Sequence, residues 1–280
     1  METHRLSFFG KTILILLLII SGAVFAAPFL WMISTSLKPL NETMQLPPVW
    51  VPSEIQWKNY GDAIEAMGRF WQYAGNTIYL CILSTIGATL SSALAAYGFS
   101  RIEWKGRNKL FLLCVATMLI PFPVIMVPVY TLFRDLGWIG SFKPLWVPFF
   151  LGNAFSIFLL RQFFLSIPKS ITEAARIDGC SELRIFFQII LPMSRSALLV
   201  VALFTFMYVW NDFLAPLIYL TDQETYTLAL GLQSFQSRQG GTEWHYLMAA
   251  STLIILPLIV IFFFTQKTFI QGITTTGSKE

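Results

Sequence analysis

Groups able to do covalent or metal chemistry are few and scattered in this 280-residue chain. The two histidines, His4 and His245, are far apart, and no His-Glu-x-x-His pair is present to hold zinc. The three cysteines, Cys81, Cys114 and Cys180, have neither metal-ligand nor disulfide-framework spacing. Two of them lie in apolar runs, where a thiol behaves as a small hydrophobic filler. No Gly-x-Ser-x-Gly marks a nucleophile, and no Gly-x-x-x-x-Gly-Lys marks a phosphate-cradling loop. The expectation is a non-enzymatic chain with no metal and no cofactor of its own. The polar residues that stand out are gathered instead in an island from Ser170 to Pro192.

The island reads as two short helices. Ser170 can cap the first, and Glu173 three residues later completes a capping box. Ala174 and Ala175 are strong helix formers with little bulk. Asp178 precedes Gly179, which can take the left-handed conformation that ends a helix. A second amphipathic stretch starts at Ser181, with Leu183, Ile185, Phe186, Ile189 and Ile190 apolar, and Pro192 closes it. A low-bulk surface at Ala174, Ala175 and Gly179 suits insertion into a partner's groove. An ordinary amphipathic element on a membrane surface fits the same residues.

The elements around the island belong to a membrane protein. The chain is 55% hydrophobic and 12% charged, where soluble domains carry about 25% charge; mean hydropathy is +0.64. Uncharged runs approach or exceed the roughly 20 residues that cross about 30 Å of hydrocarbon. They predict an all-α fold of six transmembrane helices, at about 12–34, 77–97, 110–132, 144–165, 197–219 and 246–266. A cleaved signal peptide competes for the first run, but its apolar residues continue through Ile33, too far for a signal core. The second run carries small residues at helical spacing, Ser84, Ala88, Ser91, Ser92 and Ala95, which favour close packing within the chain. Pro121, Pro123 and Pro128 interrupt the third, predicting a kinked helix that either lines a cavity or simply bends. Asn153 interrupts the fourth, and Trp210, Asn211 and Asp212 fall within the fifth.

Counting Lys and Arg between runs orients the chain. Thirteen of the nineteen, including Arg101, Arg107, Lys169, Arg176 and Arg184, fall on one side. The positive-inside rule makes that side cytoplasmic, with both termini and the island. Trp31, Trp50, Trp57, Trp71, Trp138, Trp146 and Trp244 lie near span ends or in outer loops, as interfacial rings should. The formal net charge of +4 therefore points to a lipid surface and not to nucleic acid.

Glu173-Ala174-Ala175, three residues, Gly179, nine residues, Ile189, one residue, then Leu191-Pro192 resembles the cytoplasmic loop of ABC importer permeases. Pro28-Phe29-Leu30-Trp31-Met32, Ser36-Leu37-Lys38-Pro39, the Trp210–Pro216 segment and Gln271–Gly277 extend the likeness over nearly the whole chain. It resembles the second permease of maltose-type, carbohydrate-uptake importers. That resemblance implies a type I ABC importer permease fold. It divides the chain into a first helix and outer loop over 1–70, a transmembrane core over 71–266 with a coupling loop at 166–195, and a cytoplasmic tail over 267–280. It implies two cytoplasmic ATPase subunits holding ATP and Mg, a second, homologous permease subunit, and an extracytoplasmic solute-binding protein, all in a bacterial-type inner membrane.

Glu173, Ala174, Ala175, Asp178, Gly179 and Pro192 would then form the ATPase-docking loop. Phe235, Gln236, Ser237 and Arg238 would face the binding protein, unless that segment is a plain connection. The tail would reach between the ATPases or hang free. Asn153, Trp210, Asn211 and Asp212 are candidates for the pathway or its outer gate. Asp212 lies roughly 24 Å along the fifth helix at 1.5 Å per residue, where capping or a wet vestibule suits it better than proton transfer. An ion-coupled secondary transporter would need ionisable groups at mid-membrane, so it is the weaker alternative. The expected cargo is a sugar or oligosaccharide, with glycerol phosphate or another polyol compound as the alternative.

Overall fold

The computed structural model of the chain describes residues 8–236 and 242–277, with side chains over 9–236 and 242–266. Every regular element among the described residues is helical. In chain order these are α1 (Phe8–Ser36), α2 (Asn59–Met67), α3 (Phe70–Ser100), α4 (Arg107–Ala116), α5 (Phe122–Asp135), α6 (Lys143–Trp146), α7 (Ala154–Ser166) and α8 (Lys169–Ile177). Then come α9 (Glu182–Met193), α10 (Arg195–Trp210), α11 (Leu214–Tyr219), α12 (Leu228–Gly231) and α13 (Trp244–Gly277). Among the described residues four stretches are long and apolar enough to span a membrane singly, or up to six if each of two bent pairs is one span.

The chain forms two compact units. The first comprises residues 1–70 and 232–257. Its α1 is apolar and exposed over most of its length, as lipid contact allows, until Thr35 and Ser36 at its end are buried. At the exit of α1 the backbone is held by side chains. Asn59 Nδ2 donates to the carbonyls of Ser36 and Lys38, both at 2.9 Å, and the Ser36 and Tyr60 hydroxyls share a 2.8 Å bond. Lys38 is fully buried with its ammonium 3.8 Å from the Trp31 ring centroid, a cation–π contact. Burial pulls its pKa down, opposed by the charge of Glu42.

The second unit comprises residues 71–231 and 258–280. Its axis is α3, whose small-residue face packs within the chain. Ser84 and Ser91 donate to the carbonyls of Leu145 and Phe149, at 3.3 and 3.0 Å, and Ser92 Oγ accepts from the Asn153 amide at 3.1 Å. These hydroxyls serve backbone groups of residues 145–153, from α6 to the start of α7, which apolar surroundings would otherwise leave unpaired. Between them, Gly87 lies so close to Phe150 that a Cβ would sit 2.4 Å from the ring.

Polar and proline residues break the remaining runs more sharply than their hydropathy suggests. The third run is not one kinked helix. It stops at Leu119, and α5 leaves Pro121 at 101° to the preceding helix. Residues before a proline are driven to extended backbone, and Ile120 has ψ of 111°. The fifth run is also not continuous to 219, because α10 ends at Trp210 and α11 begins after a three-residue break. Asp212 Oδ1 accepts from the Ala215 amide at 3.2 Å and so starts the new helix. At the other end, α9 and α10 meet at 81° around the fully buried Ser194. The α13 backbone stays helical to Gly277, past the predicted end of the last span.

Candidate coupling site

The island folds as two helices joined at a glycine, as its sequence predicts, but its first cap differs. The α8 helix starts at Lys169 with Pro168 at the cap position and no side-chain cap bond. Ser170 is therefore already inside the first turn, and the Ser170–Glu173 capping box does not form. The ring of Pro168 holds its φ at −54° beside the helix entrance, which sets the start before Ser170. Thr172 Oγ1 turns back to the Lys169 carbonyl at 2.8 Å. Gly179 has φ of +81° and terminates the turn after α8. Ser181 caps α9, accepting from the Arg184 amide at 3.4 Å.

Within α9, residues 186–190 form a wide π turn in which the Leu191 amide donates to the Phe186 carbonyl. Pro192 has no N–H for the Gln188 carbonyl, and its ring would crowd that oxygen. The wider turn relieves both problems, so Pro192 shapes the helix while itself lying on the exposed side.

The underside of the pair is apolar. Ala175, Ile185, Phe186 and Ile190 are buried in one core with Ala93, Ala96 and Tyr97 of α3 and Leu160 and Phe164 of α7. Ala175 therefore faces the chain's own interior, where its small side chain lets α8 lie close. Glu173, Ala174, Asp178 and Gly179 are on the open side. A Cβ on Gly179 would meet no atom of this chain. Around them stand large apolar side chains, Ile177 at 87% exposure, Leu183 at 63% and Phe187 at 57%; the sequence groups Leu183 with the apolar stretch, and Ile177 and Phe187 were passed over. Their signal was present, since on α9 Leu183 and Phe187 are spaced i, i+4 opposite the inward Ile185 and Phe186.

Polar contacts tie the pair down from the side. Arg176 Nε lies 2.7 Å from Glu182 Oε1 across the glycine joint. Glu182 Oε2 accepts from the Tyr97 hydroxyl at 2.5 Å, and Arg176 Nη2 donates to the Arg101 carbonyl at 3.2 Å. Arg101, only 7% exposed, donates through Nη2 to the carbonyls of Phe164 and Ile167, which end α7. A cation on terminal carbonyls is favourable there. The hydrogen bond from Arg176 holds the Glu182 carboxyl below its ordinary range, and Glu182 holds the Arg176 guanidinium above its own. A polar hollow of about 320 Å³ adjoins this network, walled by Arg107, Lys169 and Glu173 among others.

The other predicted residues are dispersed. Asn153 caps α7, its Oδ1 accepting from the Ser156 amide at 3.1 Å. It also borders a cavity of about 560 Å³ with Phe122, Phe149, Phe155, Thr205 and Tyr208. Trp210 is buried and stacks on Phe206 at 5.4 Å, while Asn211 Nδ2 caps back to the Met207 carbonyl at 2.7 Å. Neither these two nor Asp212 is on the cavity wall. Phe235 is buried in the first unit and Gln236 is exposed. Ser237 and Arg238 lie outside the described residues.

Residues 87–275 match the family of binding-protein-dependent transport system inner membrane components. The chain belongs to this family. Among curated relatives of the permease is the arabinooligosaccharides transport system permease protein AraQ of Halalkalibacterium halodurans, 32% identical over 90% of each chain. Another is the sn-glycerol-3-phosphate transport system permease protein UgpE of Pectobacterium atrosepticum, 31% identical over 83% of this chain and 85% of that one. The fold matches a chain in the crystal structure of a bacterial ABC transporter involved in the import of the acidic polysaccharide alginate. The TM-score is 0.82, at 24% identity, over 95% of this chain and 100% of that one. This protein is thus a permease subunit of an ABC importer, with the helical fold its sequence predicts.

Proposed function

We propose that the permease lines half of a pathway carrying a sugar or oligosaccharide across a bacterial cytoplasmic membrane. A second, homologous permease subunit supplies the other half, and an extracytoplasmic binding protein delivers the cargo. Two ATPase subunits holding ATP and Mg dock on the open side of α8 and α9. Closure of the ATPase pair drives α8 as a lever and switches access to the cavity. The observation that carries this reading is the surface of α8 and α9: Glu173, Ala174 and Gly179 lie outward beside exposed Ile177, Leu183 and Phe187, on the side rich in Lys and Arg.

The cavity supports a neutral cargo. Phe122, Phe149, Phe155, Phe204 and Tyr208 supply faces on which sugar rings stack, and Asn153, Ser156 and Thr205 supply hydrogen-bonding groups. Among the described residues no Lys or Arg is on that wall, which disfavours glycerol phosphate, the cargo in the name of UgpE. A polyol without a phosphate fits the wall as a sugar does.

Co-expression with the cognate ATPase and second permease subunits tests the docking. Gly179→Trp places bulk on an open surface and is expected to abolish ATPase co-purification or uncouple hydrolysis from transport. Normal transport with that subunit would sink the docking surface. The ligand of the cognate binding protein, identified by mass spectrometry, tests the cargo: an anionic ligand would refute the neutral assignment.

A further inference from the structure

A glycine joint between two short helices is a poor lever. Gly179 permits backbone motion that other residues resist, so force applied to α8 would flex the joint and not move the spans. The apolar core below adds adhesion, but that is non-directional. Something must fix α8 relative to α9 and both relative to α3.

The polar contacts do this in a closed circuit. Arg176 and Glu182 bridge the joint at 2.7 Å. Each is also bound to the end of α3, Glu182 through the Tyr97 hydroxyl and Arg176 through the Arg101 carbonyl. Arg101 passes the connection to the last carbonyls of α7. Charge-assisted hydrogen bonds are short and directional, so the circuit sets register where the core cannot. We propose that Tyr97, Arg101, Arg176 and Glu182 form the joint through which movement of α8 reaches α3 and α7, acting as positioning residues and not as docking contacts. This rests on the ATPase reading of α8 above.

The Arg176 and Glu182 side chains are 40% and 41% exposed. A half-exposed pair adds little to stability, so breaking it should spare the fold while loosening the lever. The test uses the full complex with its ATPases and permease partner in proteoliposomes, in a background with Cys81, Cys114 and Cys180 changed to Ser. Tyr208→Cys on the cavity wall reports access to a membrane-impermeant maleimide, with and without trapping by ATP and vanadate, so no cargo is needed. The expected result for Glu182→Gln and Tyr97→Phe is retained ATPase binding and hydrolysis. The ATP-driven change in labelling rate should fall roughly fivefold or more, within the range of measured couplings. Arg176→Glu combined with Glu182→Arg should recover part of that change, above either single variant.

An unaltered labelling change in the single variants would overturn the proposal. Loss of ATPase binding in them would also overturn it, by making these residues docking contacts. No labelling change in the parent complex would refute the ATPase reading itself.

Discussion

At the scale of single residues, two glycines show opposite demands. Gly179 is required by its backbone: φ is +81° and the space beside it is open. Gly87 is required by its neighbour, since an added Cβ would lie 2.4 Å from Cδ2 and 2.5 Å from Cε2 of Phe150. Overpacking of this kind costs about 1–3 kcal/mol. Gly87→Ala should therefore lower the melting temperature of the detergent-purified permease, and Phe150→Leu should restore part of the loss. An unchanged melt would mean that the ring moves aside freely. Ala175 separates residue type from role: it is part of the motif that suggested a docking face, yet it is buried against the chain's own core.

At the scale of elements, α8 and α9 are held by a titratable pair. The Glu182 carboxyl is depressed in the folded state, chiefly by its hydrogen bond from Arg176. A depressed acid contributes stability above its unfolded pKa and loses it as pH falls through the folded value. The raised Arg176 stays charged throughout. The melting difference between the native permease and Glu182→Gln should thus be small, flat at neutral pH, and close only below the ordinary glutamate value of 4.5. A difference that closed between neutral and weakly alkaline pH would assign it to another group. The same scale explains the breaks at Pro121 and Ser194, where a right-angled turn of backbone replaces a gentle kink.

At the scale of the whole molecule, the asymmetry of Lys and Arg predicts which side of the membrane each loop occupies. Single cysteines at Ser170 and Thr221, in a background without native cysteines, should label from opposite sides of an oriented vesicle. Ser170 should react only with reagent at the cytoplasmic face. Labelling of both from one side would invert or remove the proposed topology. Each compact unit has its own buried residues: Ala63, Phe235, Ala249 and Ala250 in the first, and the α3, α7 and α9 cluster in the second.

The sequence by itself determined the membrane class, the all-helical fold, a glycine-jointed pair of helices within 170–192 and the small-residue face of α3. These follow from hydropathy, local backbone preference and residue size, which act over a few neighbours. It also carried the motif that places the chain among importer permeases. Only the tertiary structure decided which side of α8 is open, because Ala174 and Ala175 are alike in type and differ in what lies beneath them. It also brought Tyr97 and Arg101 to Arg176 and Glu182, across separations of 75 to 85 residues. No local preference encodes such a meeting. It arises because α3 and α7 share a core with α9, and that core sets the ends of these helices side by side.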